Sequence, residues 1–99
     1  MPRRRKYSEE PFGRTIERLM ADSGLTYRGL AAKTQLSAGY LNHLVHGNRP
    51  VPSKEVVERL ASALAVEPEH FREYRLRVIT DRLEQKPDLI DRLYKRLSA

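Results

Sequence analysis

The sequence predicts an all-α fold: a five-helix domain followed by a C-terminal helical extension. Three observations carry that expectation. Apolar residues recur at helical spacing from Phe12 to Leu97, helix-capping residues stand between the periodic stretches, and no strand signal is present. Neither an internal repeat nor a low-complexity tract interrupts the pattern.

Residues 1–7 read as a basic arm, with Arg3, Arg4, Arg5 and Lys6 and no apolar periodicity. The first helix is expected to begin within residues 8–11 and to end near Ser23. Ser8 is its expected N-cap, and Glu9 and Glu10 favour the positive end of the helix dipole. Phe12, Ile16, Leu19 and Met20 make one buried stripe, and Gly24 follows as a left-handed C-terminal cap. Thr26 caps a second helix running to about Thr34, with Leu25 and Leu30 at hydrophobic-staple spacing. Ser37 caps a third, where Leu36 and Leu41 repeat the staple, Leu41, Leu44 and Val45 point inward, and Gly47 ends the helix. Pro50-Val51-Pro52 holds an extended loop. Ser53 then caps a fourth helix with the stripe Val56, Val57, Leu60, Ala63 and Leu64. A fifth helix is expected from Pro68, between the staple pair Val66 and Phe71, through Tyr74, Val78, Ile79 and Leu83. Pro87 marks a break, and a sixth helix carries Leu89, Ile90, Leu93, Tyr94 and Leu97 on one face.

Composition bounds the function. The 99 residues suffice for one compact domain plus an extension, but leave little room for a deep substrate pocket. The absence of Cys removes disulfides and thiolate metal sites and fits a reducing compartment. No apolar run is long enough to span a bilayer, and the basic start is not followed by a signal-like stretch, so a soluble, cytoplasmic protein is expected. Lys and Arg outnumber Asp and Glu by 19 to 13, for a net charge of +6. That points to a polyanionic partner, nucleic acid ahead of an anionic membrane surface. No Ser/His/Asp order, Gly-rich phosphate loop or carboxylate pair in a credible pocket emerges, so neither enzymatic activity nor a cofactor is expected. His43 and His46 stand at i and i+3 without Cys or a nearby carboxylate, which argues against a metal site; His70 is expected on the surface.

The segment from Tyr27 to His46 has the form of a helix-turn-helix. With Tyr27 as first position, Ala31 is fifth, where two helices touch and only a small side chain fits. Gln35 is ninth, in the turn, and Leu30, Leu36, Leu41 and Leu44 take the inward positions. A wider pattern surrounds the motif: Gly24-Leu25-Thr26, Leu30-Ala31, Leu36-Ser37, Gly47-Asn48-Arg49-Pro50, Pro52-Ser53, Leu60-Ala61 and Ala63-Leu64-Ala65-Val66. On these residues, the chain from Phe12 to Phe71 resembles the Cro/phage-repressor class, the XRE family of lambda-repressor-like DNA-binding domains. Two departures stand out. Gln35 occupies a turn position that is usually Gly, at an expected cost of about 1 kcal/mol for positive φ. Gly29 replaces the family's frequent Glu or Gln and removes a capping-box partner for Thr26.

The resemblance implies that the second motif helix enters the DNA major groove N-terminal end first. Its outward residues are Ser37, Ala38, Gly39, Asn42, His43 and His46. Asn can pair with adenine, and the Ala methyl can touch that of thymine. Tyr27 and Arg28 stand at a helix N-terminus suited to a phosphate, with Tyr40, Asn48 and Arg49 as further phosphate candidates. Arg3, Arg4 and Arg5 would reach phosphates or the adjacent minor groove. The domain is thus expected over residues 8–71, with its motif at 27–46. The extension over 72–99 is expected to pair with a second copy through Tyr74, Val78, Leu83, Ile90, Leu93, Tyr94 and Leu97, because apolar stripes of this kind are rarely left exposed. The expected function is a sequence-specific, homodimeric transcriptional repressor on double-stranded DNA. The alternative is an antitoxin whose later helices bind a toxin protein; a basic RNA- or membrane-surface-binding protein ranks third.

Deleting residues 2–6 tests the arm. DNA binding should weaken with the fold intact, and the slope of log K against log salt should flatten by about 0.9 for each phosphate the shortened chain no longer neutralises. An unchanged slope would make the arm a solubilising tail.

Overall fold

The computed structural model describes residues 7–99; Arg3, Arg4 and Arg5 lie outside them. Six α-helices and one 3₁₀ turn follow in order: α1 Phe12–Ser23, α2 Tyr27–Thr34, α3 Ala38–Val45, α4 Lys54–Ala63, the 3₁₀ turn Pro68–His70, α5 Arg72–Glu84 and α6 Pro87–Ser98. The first four helices and the 3₁₀ turn enclose one core. Phe12, Ile16, Leu19 and Met20 enter it from α1, Leu30 from α2, Leu41 and Leu44 from α3, and Val57, Leu60 and Ala61 from α4, closed by Leu64 and Phe71. On α4, Ala61 is buried, whereas Val56 and Ala63 of the expected stripe are only partly so.

Local chemistry sets most helix ends. Thr26, Ser37 and Ser53 each adopt extended backbone and accept from the amide three residues on, Gly29, Tyr40 and Val56 respectively. A left-handed residue follows α1, α2, α3 and α4: Gly24, Gln35, Gly47 and Ala65. At three of these ends the next amide turns back to a carbonyl of the last turn: Leu25 to Met20, Asn48 to His43 and Val66 to Ala61. Glycine suits this conformation; Gln35 and Ala65 adopt it with a Cβ, at φ 61° and 59°.

Ser8 departs from its expected role. It does not cap α1, whose N-cap residue is Pro11. It is buried instead, with its hydroxyl 2.7 Å from that of Thr15 and its amide donating to the His70 carbonyl. The cap of α1 comes from a distant helix, through a Glu73 carboxylate oxygen that accepts from the Phe12 amide. The fifth helix also departs from expectation. Pro68 opens only a single 3₁₀ turn, and Phe71 is extended, at φ −82° and ψ 127°, before α5 begins. That break lets the Phe71 ring bury against Phe12, centroids 5.0 Å apart. His70 is drawn inside with it, against the expectation of a surface position.

The first half of α5 is bolted to the domain. The Arg75 guanidinium donates to the carbonyls of Ser8, Glu69 and His70 and sits 4.7 Å over the Tyr7 ring. Arg77 donates to the Pro52 carbonyl, the Tyr74 hydroxyl to Glu58, and Lys54 to Asp81. Burial and the Glu58 carboxylate raise the Tyr74 pKa. Tyr74 packs against the core and Val78 is half-buried, whereas Leu76 and Ile79 are 55% and 53% exposed. The exposed apolar residues of α5 are therefore Leu76 and Ile79; of the residues expected to pair with another chain, Tyr74 packs on its own domain, and Val78 and Leu83 are half-buried. No residue of α6 is buried; Leu89 and Leu93 are half-buried, while Ile90, Tyr94 and Leu97 are exposed.

Glycines separate two kinds of constraint. A Cβ on Gly13 would stand 2.5 Å from the Val45 carbonyl oxygen and 2.7 Å from that of Leu44, whereas one on Gly39 would meet nothing within 4 Å. Gly13→Ala should therefore destabilise the protein by about 1–3 kcal/mol through overpacking. Gly39→Ala should instead stabilise it by about 0.5–1 kcal/mol through helix propensity. Urea unfolding of the pair checks both signs. In the same assay, Gln35→Gly and Ala65→Gly should each gain up to about 1 kcal/mol by relieving a Cβ at positive φ; a decrease at either position would mean that chain entropy outweighs that relief.

Candidate nucleic-acid interface

Helices α2 and α3 are separated by Gln35, Leu36 and Ser37. The left-handed Gln35 ends α2, its own amide donating to the Ala31 carbonyl, and Ser37 at once caps α3. Thr34 braces the turn from inside. Fully buried, it donates to the Leu30 carbonyl and accepts from the Leu36 amide. Arg59 of α4 closes it from outside by donating to the Thr34 carbonyl at 3.1 Å, where a cation also offsets the negative end of the α2 dipole.

With Leu41 and Leu44 in the core, the helical period turns Gly39, Asn42, His43 and His46 outward, and all four are exposed. Ser37 is exposed at the helix start, and Ala38 is partly exposed beside it. The structure thus brings the six expected reading residues onto one surface. His46 is turned partly inward on itself, its Nδ1 lying 2.8 Å from the Asn42 carbonyl oxygen. A carbonyl only accepts, so Nδ1 carries the proton and Nε2 is left to face outward. Among the described residues, no group of three or more His, Asp or Glu side chains is placed to hold a metal ion.

Arg28, Asn48 and Arg49 are exposed at the two ends of the motif. Tyr27 and Tyr40 are half-buried and pack their rings against the core, so the hydroxyl end is what either can offer a ligand. Three cations here fall outside the expected set: Lys33 near the end of α2, Arg59 at the turn and Lys54 at the start of α4. A plain signal in the sequence marks the region. Between Asp22 and Glu55 the chain carries no Asp or Glu, while Arg28, Lys33, Arg49 and Lys54 fall inside that span. Lys54 pairs with Asp81, but Arg28, Lys33 and Arg49 enter no ion pair among the described residues. The carboxylates concentrate elsewhere: Glu55, Glu58, Glu67 and Glu69 accompany a single cation, Arg59, between residues 55 and 71. The surface around α2 and α3 is accordingly positive and small-featured, suited to a polyanion that approaches closely.

Comparison with known proteins agrees with this geometry. The sequence model of a helix-turn-helix domain family matches residues 11–74. Among solved structures, the chain is similar to the restriction-modification controller protein C.AhdI from Aeromonas hydrophila. That likeness has 32% identity and a TM-score of 0.56, and covers 60% of this chain and 88% of the other. The chain is also similar to SinR, the master regulator for biofilm formation, in complex with DNA. Here identity is 23% and the TM-score 0.55, with 58% of this chain and 90% of the other covered. A third likeness, to the SinR–SinI protein complex, has 19% identity and a TM-score of 0.54, and covers 89% of this chain and 99% of the other. At these identities the two SinR structures speak to the fold. No curated protein sequence matches the chain. With the matched span, residues 11–74, holding the motif on the expected helices, the chain belongs to the helix-turn-helix domain family, in its XRE, Cro/phage-repressor-like class.

Proposed function

We propose that this protein is a sequence-specific, double-stranded-DNA-binding transcriptional repressor that works as a homodimer and performs no chemistry of its own. The observation that carries the proposal is the acid-free span between Asp22 and Glu55, folded so that its apolar residues make the core and its polar and cationic residues make one exposed surface. Ser37, Ala38, Gly39, Asn42, His43 and His46 lie toward base edges. Tyr27, Arg28, Tyr40, Asn48 and Arg49 serve the phosphates, and Arg3, Arg4 and Arg5 extend the contact. C.AhdI, a controller protein, and SinR, solved on DNA, support this role by likeness. Occlusion of a promoter, which needs nothing beyond bound protein, is the simplest mode of action.

The homodimer rests on exposed apolar surface. Leu76 and Ile79 on α5, with Ile90, Tyr94 and Leu97 on α6, leave large apolar side chains in water, the kind of surface a partner covers. A dimer can place two recognition helices about 34 Å apart, one turn of DNA, where a single motif binds weakly. The antitoxin alternative draws on the same surface, with a toxin protein in place of the second copy.

Tyr94 and Leu97, 71% and 81% exposed, can be changed without disturbing the core. Tyr94→Glu with Leu97→Asp should give a folded monomer by sedimentation equilibrium, with unchanged helical circular dichroism and at least tenfold weaker binding to a palindromic site. A dimer that survives would move the interface elsewhere. A wild-type chain that is monomeric at micromolar concentration would remove the homodimer and leave the surface to a different protein.

A further inference from the structure

We infer that α3 reads a half-site with A·T pairs under Asn42 and Ala38, and that this helix reads no guanine. The inference rests on the DNA-binding function proposed above and deepens it to the class of sequence recognised. From its cap Ser37 to its end at His46, α3 holds no Lys or Arg. A bidentate Arg or Lys on guanine O6 and N7 is the commonest specific contact in the major groove. The cations assigned to phosphates above, Arg28 and Arg49, stand off the helix, and phosphates carry no sequence information directly.

What α3 does present matches adenine and thymine. Asn42 is exposed, and its amide makes no hydrogen bond among the described residues. Its carbonyl and NH₂ lie side by side, the complement of the adenine N6 donor and N7 acceptor. Ala38 stands one turn earlier on the same flank, partly exposed, where its methyl can meet the thymine C5 methyl. Four residues of helix rise by about 6 Å. Bases on one strand are about 3.4 Å apart. The two read positions therefore fall within about two base steps. Between the flank of Asn42 and that of His43, at the centre of the outward face, is Gly39, where a Cβ would meet nothing within 4 Å. That position reads nothing, and its emptiness lets the helix backbone sit close to the groove floor. His43, on the opposite flank, and His46, at the helix end, carry the imidazoles that could donate to guanine, so the experiment isolates each.

The test is selection from a random duplex pool by the full chain and by Asn42→Ala, His43→Ala, His46→Ala and Gly39→Arg, with circular dichroism confirming each fold. The wild type should enrich adenine at one fixed position of each half-site and thymine within two steps of it. Asn42→Ala should reduce that adenine preference roughly tenfold while sparing other positions. Gly39→Arg should add a guanine preference where the wild type has none. Adenine enrichment that survives Asn42→Ala overturns the inference. So does guanine enrichment that vanishes with His43→Ala or His46→Ala, or a Gly39→Arg pool identical to the wild type. Enrichment of a half-site that lacks this adenine and thymine removes this inference alone; duplex binding without any enrichment removes the sequence specificity of the proposed function as well, and failure to bind duplex at all removes that function whole.

Discussion

Everything the protein offers to a groove is positioned by one close approach of backbone to backbone. Gly13, in the first turn of α1, lies against the carbonyl oxygens of Leu44 and Val45, at the end of α3. A side chain there would have to displace main chain, because no flexible side-chain tip is present to give way. The height of α3 over α1 is thus set by covalent geometry, while Leu41, Leu44, Phe12 and Ile16 fill the space beside the contact. The small residues at the start of α3 depend on this seat. Ala38 and Gly39 can present backbone to a ligand only if the helix neither rocks nor sinks toward the core.

The domain does not finish at Phe71. The first turn of α1 has no side-chain cap of its own and takes one from Glu73, and Arg75 ties Ser8, Glu69 and His70 together from the same helix. Hydrogen bonds to charged groups are worth about 1.5–3 kcal/mol each. The opening turns of α5 are therefore as much a part of the fold as α4. The same helix carries Leu76 and Ile79 on its outer side. A partner seated there would rest on a strut already fixed to the N-terminus of α1, to α4 and to the Pro52 loop, so its position relative to α3 would be fixed as well.

Much of this was legible in the sequence, because much of it is local. Thr26, Ser37 and Ser53 cap the helices they precede, Gly24 and Gly47 follow helices they help to end, and the stripe of α1 is buried as spaced. Gln35 is left-handed as the motif requires. The acid-free span around the reading surface can be counted from the sequence and is the clearest mark of the polyanion-facing side. The failures occur where a distant partner outweighs a local signal. Ser8 has the chemistry of a cap but finds Thr15, and Val66 and Phe71 have staple spacing, but burying Phe71 on Phe12 requires an extended residue. On α5, apolar residues occur on both sides, so periodicity could not say which side faces inward. Glu58, Arg75 and Arg77, through side-chain bonds to other segments, decide it. The approach of Gly13 to two carbonyls left no sequence signal at all, since an unremarkable glycine inside a helix looks the same whether or not another backbone touches it.

The outlying α6 also changes how the molecule moves through water. The radius of gyration is 15.6 Å and the principal extents are 46, 34 and 21 Å. A compact chain of this length would have a radius near about 13 Å. An elongated particle drags more solvent and diffuses more slowly than its mass implies. One chain would therefore leave a gel-filtration column early, in the range of a larger globular protein, and its elution volume would imitate that of a pair. Light scattering or equilibrium centrifugation, which respond to mass and not to drag, can tell one chain from two.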